Sequence, residues 1–134
     1  MPSWVATGAV YFVTICAKPR RQNQLCTLAS GDELLRSAVL YHTRDRWFLR
    51  LIVLMPDHLH ALIAVPQPES LGALVRMWKS YQTKTLGIVW QSGFFDHRLR
   101  SDESLTEKAH YIRMNPERAG LVGRAADWPY TWPR

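Results

Sequence analysis

Cysteine, acidic side chains and long apolar runs are all scarce in this sequence, and each scarcity removes a class of protein. The two cysteines, Cys16 and Cys26, make no Cys-x-x-Cys pair, so neither a structural zinc site nor a disulfide scaffold is expected, and a reducing, cytoplasmic setting fits. No apolar stretch reaches membrane-spanning length, and residues 1–5 lack the basic start and apolar core of a signal peptide, which predicts a soluble protein. There is no Gly-rich loop ending in Gly-Lys-Ser/Thr, so the sequence makes no provision for a nucleoside triphosphate. With 11 Asp and Glu against 17 Lys and Arg, the formal charge is +6, and arginine carries most of it. Guanidinium groups suit bidentate contact with phosphate oxygens, so a polyanionic partner fits, although a basic surface can serve solubility alone.

The 134 residues fit one compact domain, and a hydrophobic content of 47% is enough to build a core without staples. Residues 5–16 are apolar and rich in β-branched and aromatic side chains, which predicts a buried strand. Ser30 and Glu33 stand at capping-box spacing before Leu34, Leu35, Ala38 and Val39, predicting a helix over 32–42. Residues 47–55 and 59–65 are strand-like and are separated by Pro56 and Asp57, a turn pair, so they form a hairpin. Leu71, Leu74, Val75, Trp78 and Leu86 recur at helical spacing within 70–86. A short strand is expected within 89–99, and a third helix, capped by Ser101 or Asp102, should run to Met114 because Asn115 precedes Pro116. Strand, helix, strand, strand, helix, strand and one extra helix make an α+β, ferredoxin-like antiparallel sheet with a C-terminal appendage. The aromatic residues 127–134 are expected to pack back on the domain. Trp78 and Trp90, each among apolar neighbours, read as core.

Within the hairpin, His58 and His60 are two apart on a strand. Their imidazoles therefore leave the same face with Cα atoms about 6.6 Å apart, close enough to grip one divalent ion. Leu59, Ala61 and Ile63 take the opposite face and can pack on helices. An isolated His-x-His is more often polar sheet surface than a metal site. Leu62 stands where the His-x-His-x-Asp and His-x-His-x-His patterns need a ligand, so both of those fail. Any further ligand must come from a distant segment. Tyr111 and Asn115, four apart, share one face of the third predicted helix. A nearby cation favours the phenolate of a tyrosine whose ordinary pKa is about 10, and polarises a phosphoryl oxygen as well. The plainer reading is a packed tyrosine ring and an ordinary helix stop.

Three blocks taken together resemble one family. They are Met-Pro-Asp-His-Leu-His-Ala-Leu-Ile from Met55, Val-Trp-Gln-Ser-Gly-Phe-Phe-Asp-His-Arg-Leu-Arg from Val89, and Tyr-Ile-Arg-Met-Asn-Pro-Glu-Arg-Ala-Gly-Leu-Val from Tyr111. The chain resembles the REP-associated tyrosine transposases, relatives of the insertion-sequence single-tyrosine transposases within the HUH endonuclease group, over roughly positions 5 to 122. The resemblance implies His58 and His60 as metal ligands, Asn115 in the third-ligand position, Tyr111 as nucleophile, and magnesium or manganese as the cation. It implies nicking and rejoining of single-stranded DNA at hairpin-flanked, REP-like palindromes through a 5′-phosphotyrosine, with the third helix carrying the tyrosine. Both a monomer and a homodimer are compatible with it.

Candidate DNA contacts are Arg76, Lys79 and Lys84 on the second helix, His97, Arg98 and Arg100 in the basic segment that ends the short strand, and Lys18, Arg20 and Arg21 in the first loop. Taken singly, each is more simply a solvated charge. Two other readings compete. One is a non-catalytic nucleic-acid-binding module, with Tyr11 and Phe12 as stacking residues, which gives the histidines no role. The other is a metal phosphoesterase that uses activated water.

Overall fold

The computed structural model describes residues 9–66, 69–100 and 103–134. The chain runs β1 (Val10–Cys16), α1 (Leu28–Thr43), β2 (Phe48–Leu54), β3 (His58–Ala64), α2 (Leu71–Leu86), β4 (Phe95–Arg98), α3 (Leu105–Arg113), α4 (Asn115–Arg118), a 3-10 turn (Ala125–Asp127) and β5 (Thr131–Trp132). The five strands form one sheet in the order β4-β1-β3-β2-β5, with every neighbouring pair antiparallel. Its first four positions have the arrangement of a ferredoxin-like split βαβ, as the order of elements predicted.

Alternation along the strands divides the apolar side chains between two layers. Val13, Ile15, Leu59, Ala61 and Ile63 meet Leu34 and Ala38 of α1 and Leu74, Val75 and Trp78 of α2. Leu51, Val53 and Leu62 face the other way, toward Ile112 of α3 and Trp128, with Phe12 packed at the margin. A bulge between Leu49 and Leu51 shifts the β2 register, so Leu49 joins the first layer and Leu51 the second.

Several boundaries move from their sequence expectations. Helix α1 begins four residues early because Thr27, not Ser30, is the cap; the Thr27 hydroxyl accepts the Ser30 N–H. Glu33 pairs with Arg36 and Tyr81 instead of closing a capping box. Helix α2 begins where expected, capped by Ser70, and ends at Gly87, whose φ of 73° favours glycine. The fourth strand is only Phe95–Arg98, although an isolated bridge ties Ala17 to Trp90. The expected start of strand one at residues 5–8 and the Ser101 and Asp102 caps lie outside the described residues. Ser104 caps α3, its hydroxyl accepting the Glu107 N–H. The helix does stop at Met114, yet Asn115 is not driven into extended backbone: it opens α4, with Pro116 in the first turn, where a missing N–H costs nothing.

The aromatic C-terminal segment folds back as expected and adds a fifth strand. The indole Nε1 of Trp128 donates to the Leu54 carbonyl at 2.9 Å, and Thr131 and Trp132 pair with Val53 and Ile52. Tyr130 lies so close to Gly31 that a Cβ there would collide with its ring. Among the described residues, no helix is long and apolar enough to cross a membrane.

Candidate functional site

His58 and His60 share the sheet face of Leu62, away from α1 and α2, as the strand period predicted. Their ring centroids are 4.9 Å apart with planes at 75°. Each ring is held by its Nδ1: His58 by the Asp57 carboxylate at 2.8 Å, His60 by the Thr14 hydroxyl at 2.9 Å. The Thr14 contact follows from register, since Thr14 lies directly opposite His60. Among the described residues nothing bonds either Nε2.

Asp57 is itself clamped. The Arg20 Nε donates to its Oδ2 at 2.9 Å, and the Arg21 backbone N–H donates to the same oxygen at 2.8 Å. Burial works to raise the Asp57 carboxyl, but these donors and His58 outweigh it and hold the group well below the carboxylate range. An ionised Asp57 accepts only, so His58 carries a proton on Nδ1, which leaves Nε2 as the nitrogen a metal would use. Burial, with the charges of His58 and Arg118 added, holds His60 down at about 4, so that ring is neutral at pH 7. Two imidazoles with their Nδ1 atoms engaged and their Nε2 atoms unbonded among the described residues are a donor pair that fits a divalent cation. No group of three or more His, Cys, Asp or Glu able to hold a metal occurs among the described residues, so a third protein donor among them is of another type. Asn115 has an amide oxygen to offer. That oxygen already accepts Arg118 Nη2 at 2.7 Å, which leaves its second lone pair.

Helix α3 packs across β2 and β3 on this same face, burying Ile112 and turning Tyr111 outward, 56% exposed. The turn from α3 into α4 brings Arg118 back over Tyr111: the guanidinium carbon lies 4.3 Å from the ring centroid, and Nη2 donates to the Tyr111 carbonyl at 2.6 Å. Its charge is also felt by His60. Phe12 meets the His60 ring edge-on at 5.4 Å and, with Tyr111, walls a cavity of about 440 Å³. The structure thus gathers Tyr111, Asn115, Arg118 and His60 into one neighbourhood. Sequence reasoning missed Asp57, Thr14, Phe12 in this role, and Arg118. The available signals were an aspartate directly before the first histidine and an arginine three positions after Asn115.

The basic residues scatter. Arg76, Lys79 and Lys84 sit on α2, across the sheet from the histidines. Lys79 is tied down, its Nζ donating to the Gln91 and Gly93 carbonyls at 2.9 and 2.7 Å, and burial lowers its pKa. Arg20 spends its guanidinium on Asp57, and Arg21 holds the same carboxylate through its backbone at a φ of 70°. Lys18 is exposed beside them. On β4, His97 lies opposite Phe12 and so belongs to the histidine face, whereas Arg98 lies opposite Tyr11 on the other. His97 Nε2 and the Arg100 N–H both bind Glu103, at 3.0 and 2.8 Å. Trp78 and Trp90 lie in or against the larger core, as expected.

No family model matches the chain. The chain is similar to the REP-associated tyrosine transposase of Escherichia coli, 29% identical over 128 residues that cover 92% of this chain and 76% of that protein. It is also similar to the putative REP-associated tyrosine transposase of Haemophilus influenzae, 28% identical with 92% and 79% covered. The solved structure of a REP-associated tyrosine transposase bound to a REP hairpin matches with a TM-score of 0.79 at 28% identity, over 92% of this chain and 76% of that one. A putative transposase from Deinococcus radiodurans, 17% identical with a TM-score of 0.57 over 77% and 87%, shares the fold.

Proposed function

We propose that this chain, similar to the REP-associated tyrosine transposases, is a metal-dependent transposase that nicks and rejoins single-stranded DNA at hairpin-flanked sites. The observation that carries the reading is the placement of α3: it sets Tyr111 and Arg118 on the sheet face that presents His58 and His60. The REP hairpin held by the related structure makes a folded-back palindrome the substrate of choice.

In the proposed reaction, the Tyr111 oxygen attacks a backbone phosphorus and the bond from phosphorus to the 3′-oxygen breaks. A 5′-phosphotyrosine forms, the phenol gives up a proton and the departing 3′-oxygen gains one. Reversal with a different 3′-hydroxyl rejoins DNA, so no nucleotide is consumed. Magnesium or manganese, bound by His58, His60 and Asn115, would supply charge neutralisation at the scissile phosphate. Asp57 and Thr14 hold the two rings in the orientation that exposes Nε2. Arg118, over the Tyr111 ring, would offer its guanidinium to the phosphate under attack.

Labelled single-stranded REP-type hairpin DNA incubated with the protein and manganese, then run on a denaturing gel, tests this directly. Wild type is expected to give a covalent adduct and a released strand ending in a 3′-hydroxyl, and Tyr111→Phe neither. Cleavage that persists in Tyr111→Phe would move the assignment to a phosphoesterase using activated water. Hairpin binding with no cleavage by wild type would make the chain a binding module.

A further inference from the structure

Beside Tyr111 lies a cavity of about 440 Å³ walled by Phe12 from β1 and by Glu103, Ser104, Glu107, Lys108 and Tyr111. Ser104, Glu107, Lys108 and Tyr111 stand at i, i+3, i+4 and i+7, so they form one continuous stripe of α3 and its cap. Two features make its chemistry unlike the rest of the site. The wall is acidic in a basic protein, and it is floored by an aromatic ring that also touches His60.

We infer that this cavity receives a nucleobase of the substrate strand, next to the phosphodiester that Tyr111 attacks, and that it selects bases carrying an exocyclic amine over thymine. The inference rests on the tyrosine-nuclease reading given above. A phosphate is the wrong guest: Glu103 and Glu107 would repel it, Lys108 of the wall already faces Glu103, and Arg118, the cation covering Tyr111, is not part of the wall. A base is uncharged, and Phe12 offers it a ring to stack on.

The two carboxylates are not equivalent. Glu103 is committed, accepting from the Arg100 N–H and His97, with Lys108 at 3.6 Å. Glu107 gives its backbone N–H to the Ser104 cap, but its carboxylate completes no capping box, and among the described residues it has no partner. It is the one acceptor-only group in the wall left to be satisfied by a guest. Adenine, cytosine and guanine each carry an amino group that can donate to it; thymine has only its N3–H, flanked by two carbonyl oxygens that a carboxylate repels. Tyr111 thus stands between a cationic side suited to the phosphate and an acidic, aromatic side suited to the base.

Fluorescence anisotropy of the intact protein with labelled (dA)12, (dC)12 and (dT)12 strands reads the preference without requiring cleavage. Wild type is expected to bind (dA)12 and (dC)12 about ten-fold more tightly than (dT)12. Glu107→Gln should collapse that ratio by strengthening (dT)12 binding, because a glutamine amide can turn its donors toward a thymine carbonyl. Removing a negative charge strengthens all DNA binding to some degree, so the ratio and not the absolute affinity is decisive. Phe12→Leu, which keeps an apolar side chain at the core margin, should weaken all three strands roughly ten-fold through lost stacking. Equal wild-type affinities, or a ratio that Glu107→Gln leaves intact, overturn the base pocket. The same preference should survive in Tyr111→Phe, since binding does not need the attacking oxygen. The adduct gel fails separately if the nuclease reading is wrong.

Discussion

One face of the sheet is closed by two long helices over a continuous core, in which Val13, Leu34, Leu74, Val75 and Trp78 are buried together. Among the described residues, the other is covered by the nine-residue α3 and the segments around it, and it leaves Tyr111 56% exposed on the side of the sheet that carries the histidine pair. Both faces are drawn from the same strands. Leu59, Ala61 and Ile63 serve the first while His58, His60 and Leu62 serve the second, so a single-residue slip of β3 would exchange core for site. Stability and chemistry are therefore separated by strand parity and not by domain, and mutations on the two faces should differ in kind.

The largest effect belongs to the closed face. Trp78 is 1% exposed, and its indole donates to the Ser37 hydroxyl at 3.0 Å, where Gln82 also donates. Trp78→Ala should cost about 3–5 kcal/mol, a large share of the stability of a domain this size. Urea unfolding followed by circular dichroism measures it. The contrast is with Tyr111→Phe, which should leave the same unfolding curve in place while abolishing the adduct. If the two variants were equally destabilised, the division between the faces would be wrong.

That division was largely legible in the sequence. Period-two alternation and the Pro56-Asp57 turn placed the hairpin and assigned its faces, and the order of elements gave the sheet topology. The placement of α3 was less legible. Its apolar residues announce a buried side, but nothing local says which sheet face receives it. Arg118 was hidden for a related reason: its position depends on the turn at Met114, and the expectation that Asn115 leaves helical backbone pointed the chain elsewhere. Helix α1 begins earlier than the Ser30–Glu33 spacing predicts because Thr27 supplies the cap. Lys79 looked like a solvent-facing charge on the helical wheel, yet the loop before β4 passes close enough to use its ammonium. Arg20, assigned to DNA by its sign, meets Asp57 across 37 positions, a pairing that composition cannot foresee.

The Arg20–Asp57–His58 chain offers the next test of the open face. Asp57→Asn keeps the shape but loses the charge that forces the His58 proton onto Nδ1, and a flipped amide can hold the ring in the wrong tautomer. Affinity for Mn²⁺, measured by electron paramagnetic resonance titration, is expected to fall about ten- to a hundred-fold, the usual consequence of losing a partner behind a ligating histidine. Nitrogen chemical shifts of His58 in the metal-free protein should show the tautomer mixture directly. An unchanged affinity with unchanged shifts would mean that Asp57 serves only to fasten the first loop through Arg20.

The smallest effect lies where the open face is fastened at its edge. Glu103, on the approach to α3, gathers the Arg100 N–H, His97 and Lys108 around one carboxylate. The Arg100 backbone hydrogen bond first, and His97 next, depress its pKa to about 2. A carboxyl lowered on folding contributes stability that is fully present above its unfolded value of about 4.3 and vanishes as the pH falls through the folded one. The thermal midpoint of wild type should therefore drop between about pH 4.3 and 2 by more than that of Glu103→Gln. Asp57 is depressed in both proteins and cancels in the difference. The gap should be small, because ion pairs at a protein surface are screened and entropically costly. It should also shrink further in salt, whereas the Trp78→Ala deficit on the closed face should not. Curves that stay parallel down to pH 2 would show that α3 is held by Ile112 packing alone, and that Glu103 only lines the cavity beside Tyr111.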